Sequence, residues 1–395
     1  MMWIWLLTLL WMFAVSDALA KMLGELRMTY GLGQFGGGAR RENELPCVSV
    51  IIPARNEERN IGACVRSLID QTYPKDKLRI MIVDDHSTDR TADIVREMQR
   101  GAAYVELVAA RDLPPGWCGK NNACFSGAIH ADGEWLCFID ADTVSEPDLL
   151  VEAVSFATER DLGLLSLNLR HTFGTFGERF LIPPFFFSSS LEISIAKANK
   201  ETEAGGGCGQ FFLFRKEAYD KIGGHEAVRG VMIEDVELPK HVKRSGYRYM
   251  WIGGERFMRI RLYTNISEAW KGLRRQGFAT LRNGVAMWLH ILKILGFAWL
   301  PLLLPLWNAR QLFASGFSAF GMAFLILSIL ETLSFIVMYV GLISALRLPL
   351  GYALLFPLSL SAQVINMIDG WLKKRAGRLE WKKRFYGTPR QGKSR

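Results

Sequence analysis

Apolar residues follow two patterns along the chain. Between 46 and 265 they form short runs separated by mixed stretches, whereas 3–20 and 288–368 hold long apolar segments with few charges. In the middle region, the runs 48–52, 78–83, 105–108 and 135–139 predict strands. Helical spacing over 60–71, 88–99 and 121–131 predicts helices between them. Strand and helix in alternation predict an α/β, Rossmann-like fold with a mostly parallel sheet and crossover helices. Three strand ends turn polar: Pro53-Ala54-Arg55-Asn56-Glu57, Asp84-Asp85-His86-Ser87 and Asp140-Ala141-Asp142. Open α/β sheets hold their ligands at that edge.

The long apolar segments predict a membrane attachment at each end of this domain. Residues 1–22 are read as an N-terminal transmembrane anchor. Ala18-Leu19-Ala20 resembles a signal-peptide cleavage site, but no positive charge precedes the run, so the anchor is expected to stay uncleaved. Residues 23–45, glycine-rich and ending near Arg40-Arg41, form a juxtamembrane linker before a catalytic region at 46–265. Residues 266–288 place apolar side chains at 266, 270, 273, 278, 281, 285 and 288 among Lys271, Arg274, Arg275 and Arg282, the pattern of an amphipathic interfacial helix.

A C-terminal membrane region, 289–370, holds three apolar segments at 291–312, 318–345 and 349–368. Three crossings would separate the catalytic region from the basic tail, 371–395. Because 291–312 carries Lys293, Pro301, Pro305 and Asn308, it is expected to be re-entrant or interfacial, with the other two segments forming a hairpin.

The formal net charge of +9 arises in the tail. Residues 373–395 hold ten Lys/Arg and one Glu, which leaves equal numbers of basic and acidic residues elsewhere. A basic stretch directly after an apolar segment fits the cytoplasmic face of a membrane, so no nucleic acid is expected as a partner. The six cysteines show no metal-ligand spacing; Cys47 and Cys137 sit in apolar runs as small hydrophobes, which fits a reducing compartment.

The candidate chemistry lies in ordered acidic clusters: Asp84/Asp85, Asp140/Asp142 and Glu234-Asp235. A strand-end carboxylate can also be a turn or helix cap, and Glu234-Asp235 can simply favour a helix N-terminus beginning at Val236. Asp140 and Asp142 follow the apolar run 135–139 with no lysine in the immediate segment. They form a hard oxygen site for Mg²⁺ or Mn²⁺, which completes its shell with phosphate and water. Lys120, after Gly116-Trp117-Cys118-Gly119, puts a cation before a helix where a phosphate can bind.

In order and approximate spacing, the segments Val48 to Glu57, Val83 to Asp89, Asp140/Asp142 and Glu234-Asp235 resemble those of family 2 glycosyltransferases of the GT-A fold, over about 46–265. The resemblance implies that Ala54, Glu57, Asp85 and Lys120 line a nucleotide site, that Asp140 contacts the uridine side, that Asp142 binds the metal and that Asp235 is the catalytic base. Leu113-Pro114-Pro115-Gly116-Trp117, Glu178 to Pro183, Gly206-Gly207-Cys208 and Arg261-Leu262-Tyr263 look like the hopanoid-associated and carotenoid-type membrane members. That narrower likeness implies a lipid or isoprenoid acceptor.

Processive synthases of the family carry Gln-X-X-Arg-Trp where this chain has Arg274-Arg275-Gln276-Gly277-Phe278, so transfer of a single sugar is expected. The expectation is an inverting, metal-dependent transferase taking a nucleotide-sugar, a UDP-sugar first, to a lipid acceptor. Its catalytic domain would lie on the cytoplasmic side of the inner membrane, in a multi-pass chain. The alternatives are a processive polysaccharide synthase, a nucleotidyltransferase and a non-catalytic scaffold.

Overall fold

The computed structural model describes residues 2–28, 31–33, 45–279, 284–376, 379–381 and 384–386. Residues 34–44 of the expected linker, Arg282 and residues 377–378, 382–383 and 387–395 of the basic tail lie outside the described residues. The chain divides into two compact units, Met28–Thr172 with Ile193–Leu262, and Met1–Arg27 with Phe173–Glu192 and Tyr263–Arg395. The block 46–265 read from sequence is therefore interrupted, because residues 173–192 belong to the helical unit.

The first unit is built on strands β1 Val48–Ala54, β2 Leu78–Asp84, β3 Val105–Ala109, β4 Trp135–Ile139, β5 Thr143–Ser145, β6 Leu162–Asn168, β7 Arg170–His171, β8 Phe211–Arg215, β9 Arg248–Gly253 and β10 Met258–Ile260. Seven of them form one sheet in the order β3-β2-β1-β4-β8-β6-β9, and β5-β10-β7 form a small second sheet. Strands β3, β2, β1 and β4 are mutually parallel. Their apolar runs are continuous because both faces are covered: Val50 and Ile52 enter one core cluster and Ile51 the other. The helices Ile61–Ile69, Thr91–Gln99 and Gly119–Ala128 connect these strands, shorter than the sequence pattern indicated.

Strand β8 departs from the expected pattern by running antiparallel to both β4 and β6. The reversal brings Phe211, the start of β8, opposite Ile139, the end of β4. The backbone just before β8 thus arrives at the edge where the parallel strands end, and Asp140 N–H donates to Gln210 O at 3.2 Å. Cys137 is buried as expected, but Cys47, one residue before β1, is exposed.

Among the described residues of the helical unit, four helices are long and apolar enough to cross a membrane: Trp5–Met22, Gly284–Ala314, Ala319–Ala345 and Leu350–Arg375. The expected re-entrant segment is instead part of a continuous 32-residue helix, Gly284–Ser315. At 1.5 Å per residue it is about 48 Å long, more than a bilayer core. Its polar features are paired within the bundle. Pro305 has no N–H for the Pro301 carbonyl one turn back, and Thr332 Oγ1 donates to that carbonyl at 2.7 Å. Asn308 Nδ2 reaches Thr8 Oγ1 and Phe324 O, each at 3.4 Å.

The segment that turns back is the last one. Helix Gly284–Ser315 and helix Ala319–Ala345 run antiparallel, matching 301 to 332 and 308 to 324. Helix Phe356–Arg375 then matches Phe356 to Phe335, Ser359 to Tyr339, Ser361 to Trp299 and Trp371 to Trp288. It therefore starts at mid-depth and rises to the level where Gly284–Ser315 begins. The 3-10 turn Leu350–Leu355 carries the chain down to that start.

Within the expected 266–288, residues Ile266–Ala279 form a helix, with Ala269 and Leu273 buried. Arg274, read as part of its polar face, is also buried. Its Nη1 lies 3.1 Å from Asp369 Oδ2, to which Trp270 Nε1 donates at 3.2 Å.

Gly127 packs its helix against β1 and β2, and a Cβ there would collide with methyl groups of Ile51 and Val83. Gly127→Val is expected to cost roughly 1–3 kcal/mol of stability through overpacking, read as a lower thermal unfolding midpoint in detergent.

Candidate active site

The chain leaves β1 towards β2 and β3 on one side and returns to place β4 on the other. The strand order thus reverses between β1 and β4, which opens a crevice beyond their carboxyl ends. Ala54, buried, closes β1, and its carbonyl accepts the Asp85 N–H at 2.8 Å. Asp85 is 4% exposed, and Arg55 Nη1 donates to its carbonyl oxygen at 2.6 Å. The loops after β1 and β2 each hold a left-handed residue, Asn56 (φ 53°) and His86 (φ 55°). Such strain persists only where neighbours over-determine it. Here Asn56 N–H donates to Ser87 Oγ at 3.0 Å and Thr88 N–H to Asn56 Oδ1 at 2.8 Å. Glu57 follows in this clasp, its N–H donating to Thr91 Oγ1 and its Oε2 accepting from Asn60.

On the β4 side, Asp140 and Asp142 sit in a tight turn. The Asp140 carbonyl accepts from Thr143 N–H at 3.2 Å and Thr143 Oγ1 at 2.9 Å. Lys120, on the first turn of helix Gly119–Ala128, reaches across to this edge. Its Nζ lies 2.9 Å from Asp140 Oδ1, 2.8 Å from Glu234 Oε1 and 3.1 Å from Gly209 O. The immediate segment holds no lysine, as read from the sequence; the cation beside Asp140 comes from another element. One cation thus gathers two carboxylates that are nearly a hundred residues apart.

Glu234 and Asp235 open helix Glu234–Arg244, two residues earlier than the expected start. Burial pushes the Glu234 carboxyl up, but the Lys120 ammonium outweighs it and holds it below the usual glutamate range. Asp235 is the opposite case. Burial and the adjacent Glu234 charge raise its carboxyl well above the usual aspartate range. Its Oδ2 accepts only a long bond from Gly209 N–H, 3.4 Å, and its buried Oδ1 has no hydrogen-bond partner among the described residues. A carboxylate held in this way is suited to taking a proton from a hydroxyl placed against it.

The fit of a dication is decided by the donor set. Among the described residues no group of three or more His, Cys, Asp or Glu side chains converges as a metal cage. Mg²⁺ and Mn²⁺ in phosphate sites need only one or two protein carboxylates. Asp140 and Asp142 supply hard oxygen ligands, and Asp140 is already held by Lys120, so the residues present fit such an ion with Asp142 as its protein anchor.

Residues 49–223 match the family model for Glycosyl transferase family 2. They form a family 2 glycosyltransferase domain. The 4,4'-diaponeurosporenoate glycosyltransferases of Staphylococcus aureus strains MRSA252 and USA300 are each 29% identical to this chain over 244 residues. The match takes in 60% of this chain, and the chain spans 59% of the length of those curated relatives. Among solved structures, the mannosyltransferase PcManGT from Pyrobaculum calidifontis, in complex with GDP-Man and Mn²⁺, aligns over 94% of this chain and 99% of its own. The TM-score is 0.56 at 19% identity, a likeness of fold.

Lys120, within the matched segment, brings Asp140 and, from beyond that segment, Glu234 together directly, with Asp142 and Asp235 close to them in sequence. Ala54, Glu57 and Asp85 stand at the ends of β1 and β2. Sequence reading left Glu234 out of the site, although its place before Asp235 and the lone Lys120 were the available signals. Arg55 and Gly209 gave no signal, since their roles use backbone positions set by the fold.

Titrating ¹³C-labelled aspartate carboxyls by NMR is expected to find Asp235 still protonated at a pH where ordinary aspartates are ionised. Glu234→Gln removes a neighbouring negative charge and is expected to shift that titration to lower pH.

Proposed function

We propose that this chain is an inverting, metal-dependent glycosyltransferase that moves one sugar from a nucleotide-sugar to a lipid or isoprenoid-type acceptor at a membrane. The observation that carries the reading is the Lys120 bridge, which joins the β4 donor edge to the helix bearing Asp235. That helix lies beyond the segment matched by the family model, so its link to the site rests on this geometry.

In this reading Ala54, Glu57, Asp85 and Lys120 line the nucleotide site, and Asp140 contacts its uridine side. A Mg²⁺ or Mn²⁺ ion at Asp142, when bound, supplies charge neutralisation for the departing diphosphate. Asp235 takes the proton of the acceptor hydroxyl while that oxygen bonds to C1 from the face opposite the leaving group. The C1–O bond to the diphosphate breaks, the nucleoside diphosphate leaves with the electron pair, and the anomeric configuration inverts. The GDP-Man and Mn²⁺ of the solved fold relative and the carotenoid-type name of the curated relatives support a nucleotide-sugar donor and an isoprenoid acceptor. Arg274 is engaged with Asp369, which supports single transfer over a processive reading.

The helical unit supports a cytoplasmic placement of the glycosyltransferase domain. Met22, Trp288, Gly341 and Trp371 mark one level of the bundle. That level carries Lys21, Arg347, Lys373, Lys374 and Arg375, whereas the short turn 316–318 at the other end has no basic residue. With helix Phe356–Arg375 re-entrant, three crossings remain and the tail returns to the side of the domain.

Nucleoside diphosphate release from UDP- and GDP-sugars, with Mg²⁺ or Mn²⁺ and bacterial lipid, tests the chemistry. Wild type is expected to release it with one donor, Asp235→Asn to lose about 10²–10⁴-fold, and Asp142→Ala to lose the metal response. Release that survives in Asp235→Asn would overturn the assignment of the base. For the orientation, a C-terminal epitope in sealed inside-out vesicles is expected to be removed by added protease, and its protection would overturn the re-entrant reading.

A further inference from the structure

Segment 198–209 runs as a strap between two lysines and passes directly over Asp235. It begins in helix Ile195–Lys200, where Asn199 is paired twice to Trp251: its Nδ2 donates to the Trp251 carbonyl at 2.9 Å and its Oδ1 accepts Trp251 N–H at 2.7 Å. Lys243, on the last turn of helix Glu234–Arg244, then donates to three carbonyls of the strap. Its Nζ lies 2.6 Å from each of Ala198 O, Glu201 O and Ala204 O. An ammonium has three donors and no acceptor, so these contacts use it completely. At the far end, Lys120 holds Gly209 O.

Between the two lysines the strap lies against the first turn of the base helix. A Cβ on Gly205 would collide with Val236 O, and one on Gly207 would come within 3.1 Å of Asp235 O. Gly206, at φ 152°, presents its carbonyl to Tyr249 OH at 2.5 Å. Lys120, Asp140 and Glu234 take up the donor flank of Asp235. The glycine strap borders Asp235 as backbone, and at its end Gly209 N–H donates to Asp235 Oδ2 at 3.4 Å.

We propose that Lys243 is a positioning residue that fixes the strap against the base helix and so sets the slot through which the acceptor hydroxyl reaches Asp235. The proposal rests on the glycosyltransferase reading above and assigns acceptor alignment to a residue distant in sequence from the donor motifs. Arg244 also pairs with Glu203 of the strap, but in an exposed position where an ion pair contributes little. Lys243 is half-buried, and removing it takes a donor from three carbonyls, of which only that of Glu201 is shown to keep another, the Ala204 N–H.

The test uses the full chain in detergent and compares wild type, Lys243→Ala and Arg244→Ala. Hydrogen exchange of the backbone amides in 198–207 is expected to quicken about ten-fold or more in Lys243→Ala and to stay near wild type in Arg244→Ala. Propylammonium chloride, which refills the carbonyl nest, is expected to restore slow exchange, and tetramethylammonium, with no donor, is not. In transfer assays with a long-chain isoprenoid alcohol, Lys243→Ala is expected to raise acceptor KM about ten-fold while donor KM stays unchanged. Unchanged exchange in 198–207, or unchanged acceptor KM in an enzyme that transfers sugar, would overturn the proposal. A wild type that transfers no sugar counts against the proposed function, and the exchange experiment still decides whether Lys243 holds the strap.

Discussion

The site depends on one partly buried cation. Lys120 stands between Asp140, from the end of a strand, and Glu234, from the start of a helix. Without it, two half-shielded carboxylates would face each other across a crevice of low polarity, and their repulsion would push the helix and the strand apart. With it, Glu234 is fully engaged, and Asp235 beside it is left with the negative field and no cation of its own. Two adjacent carboxyl groups are thus driven in opposite directions, one to a fixed charge and one to a group able to exchange a proton near neutral pH. Tuning neighbouring carboxyls apart in this manner is how acid and base roles are separated in one site.

The reversed strand β8 serves the same centre. Because it runs against β4, its leading loop meets the carboxyl edge of the parallel strands and supplies Gly209 to both Lys120 and Asp235. The helical unit has a complementary logic. Its prolines and Asn308 are satisfied by neighbouring helices, and its last segment turns back at mid-depth.

Much of this was legible in the sequence, for physical reasons. Runs such as 48–52 and 135–139 are buried on both faces, which gives an unmistakable apolar signal, and the acidic residues after them mark the ligand edge. The antiparallel β8 was not legible, because strand direction is set by tertiary pairing. Nor was the Lys120 bridge, since Lys120 and Glu234 are brought together only by the sheet order. The membrane segments misled in an instructive way. Pro301, Pro305 and Asn308 look like interruptions in one dimension, but Thr332 and Thr8 resolve them in three. The segment 349–368, whose hydropathy alone resembles a span, instead holds the helix that starts beside the middle of its neighbour. Helix Phe176–Ser190, placed in the catalytic region by position, packs Phe187 against Phe297, Phe335 and Tyr339 of the helical unit.

The most direct test of the central claim is the structure of the product. With the active donor and an isoprenoid alcohol, NMR of the glycolipid made by wild type should show one sugar per acceptor, with the configuration at C1 inverted relative to the donor. Retention at C1 would contradict an in-line displacement with Asp235 as the base.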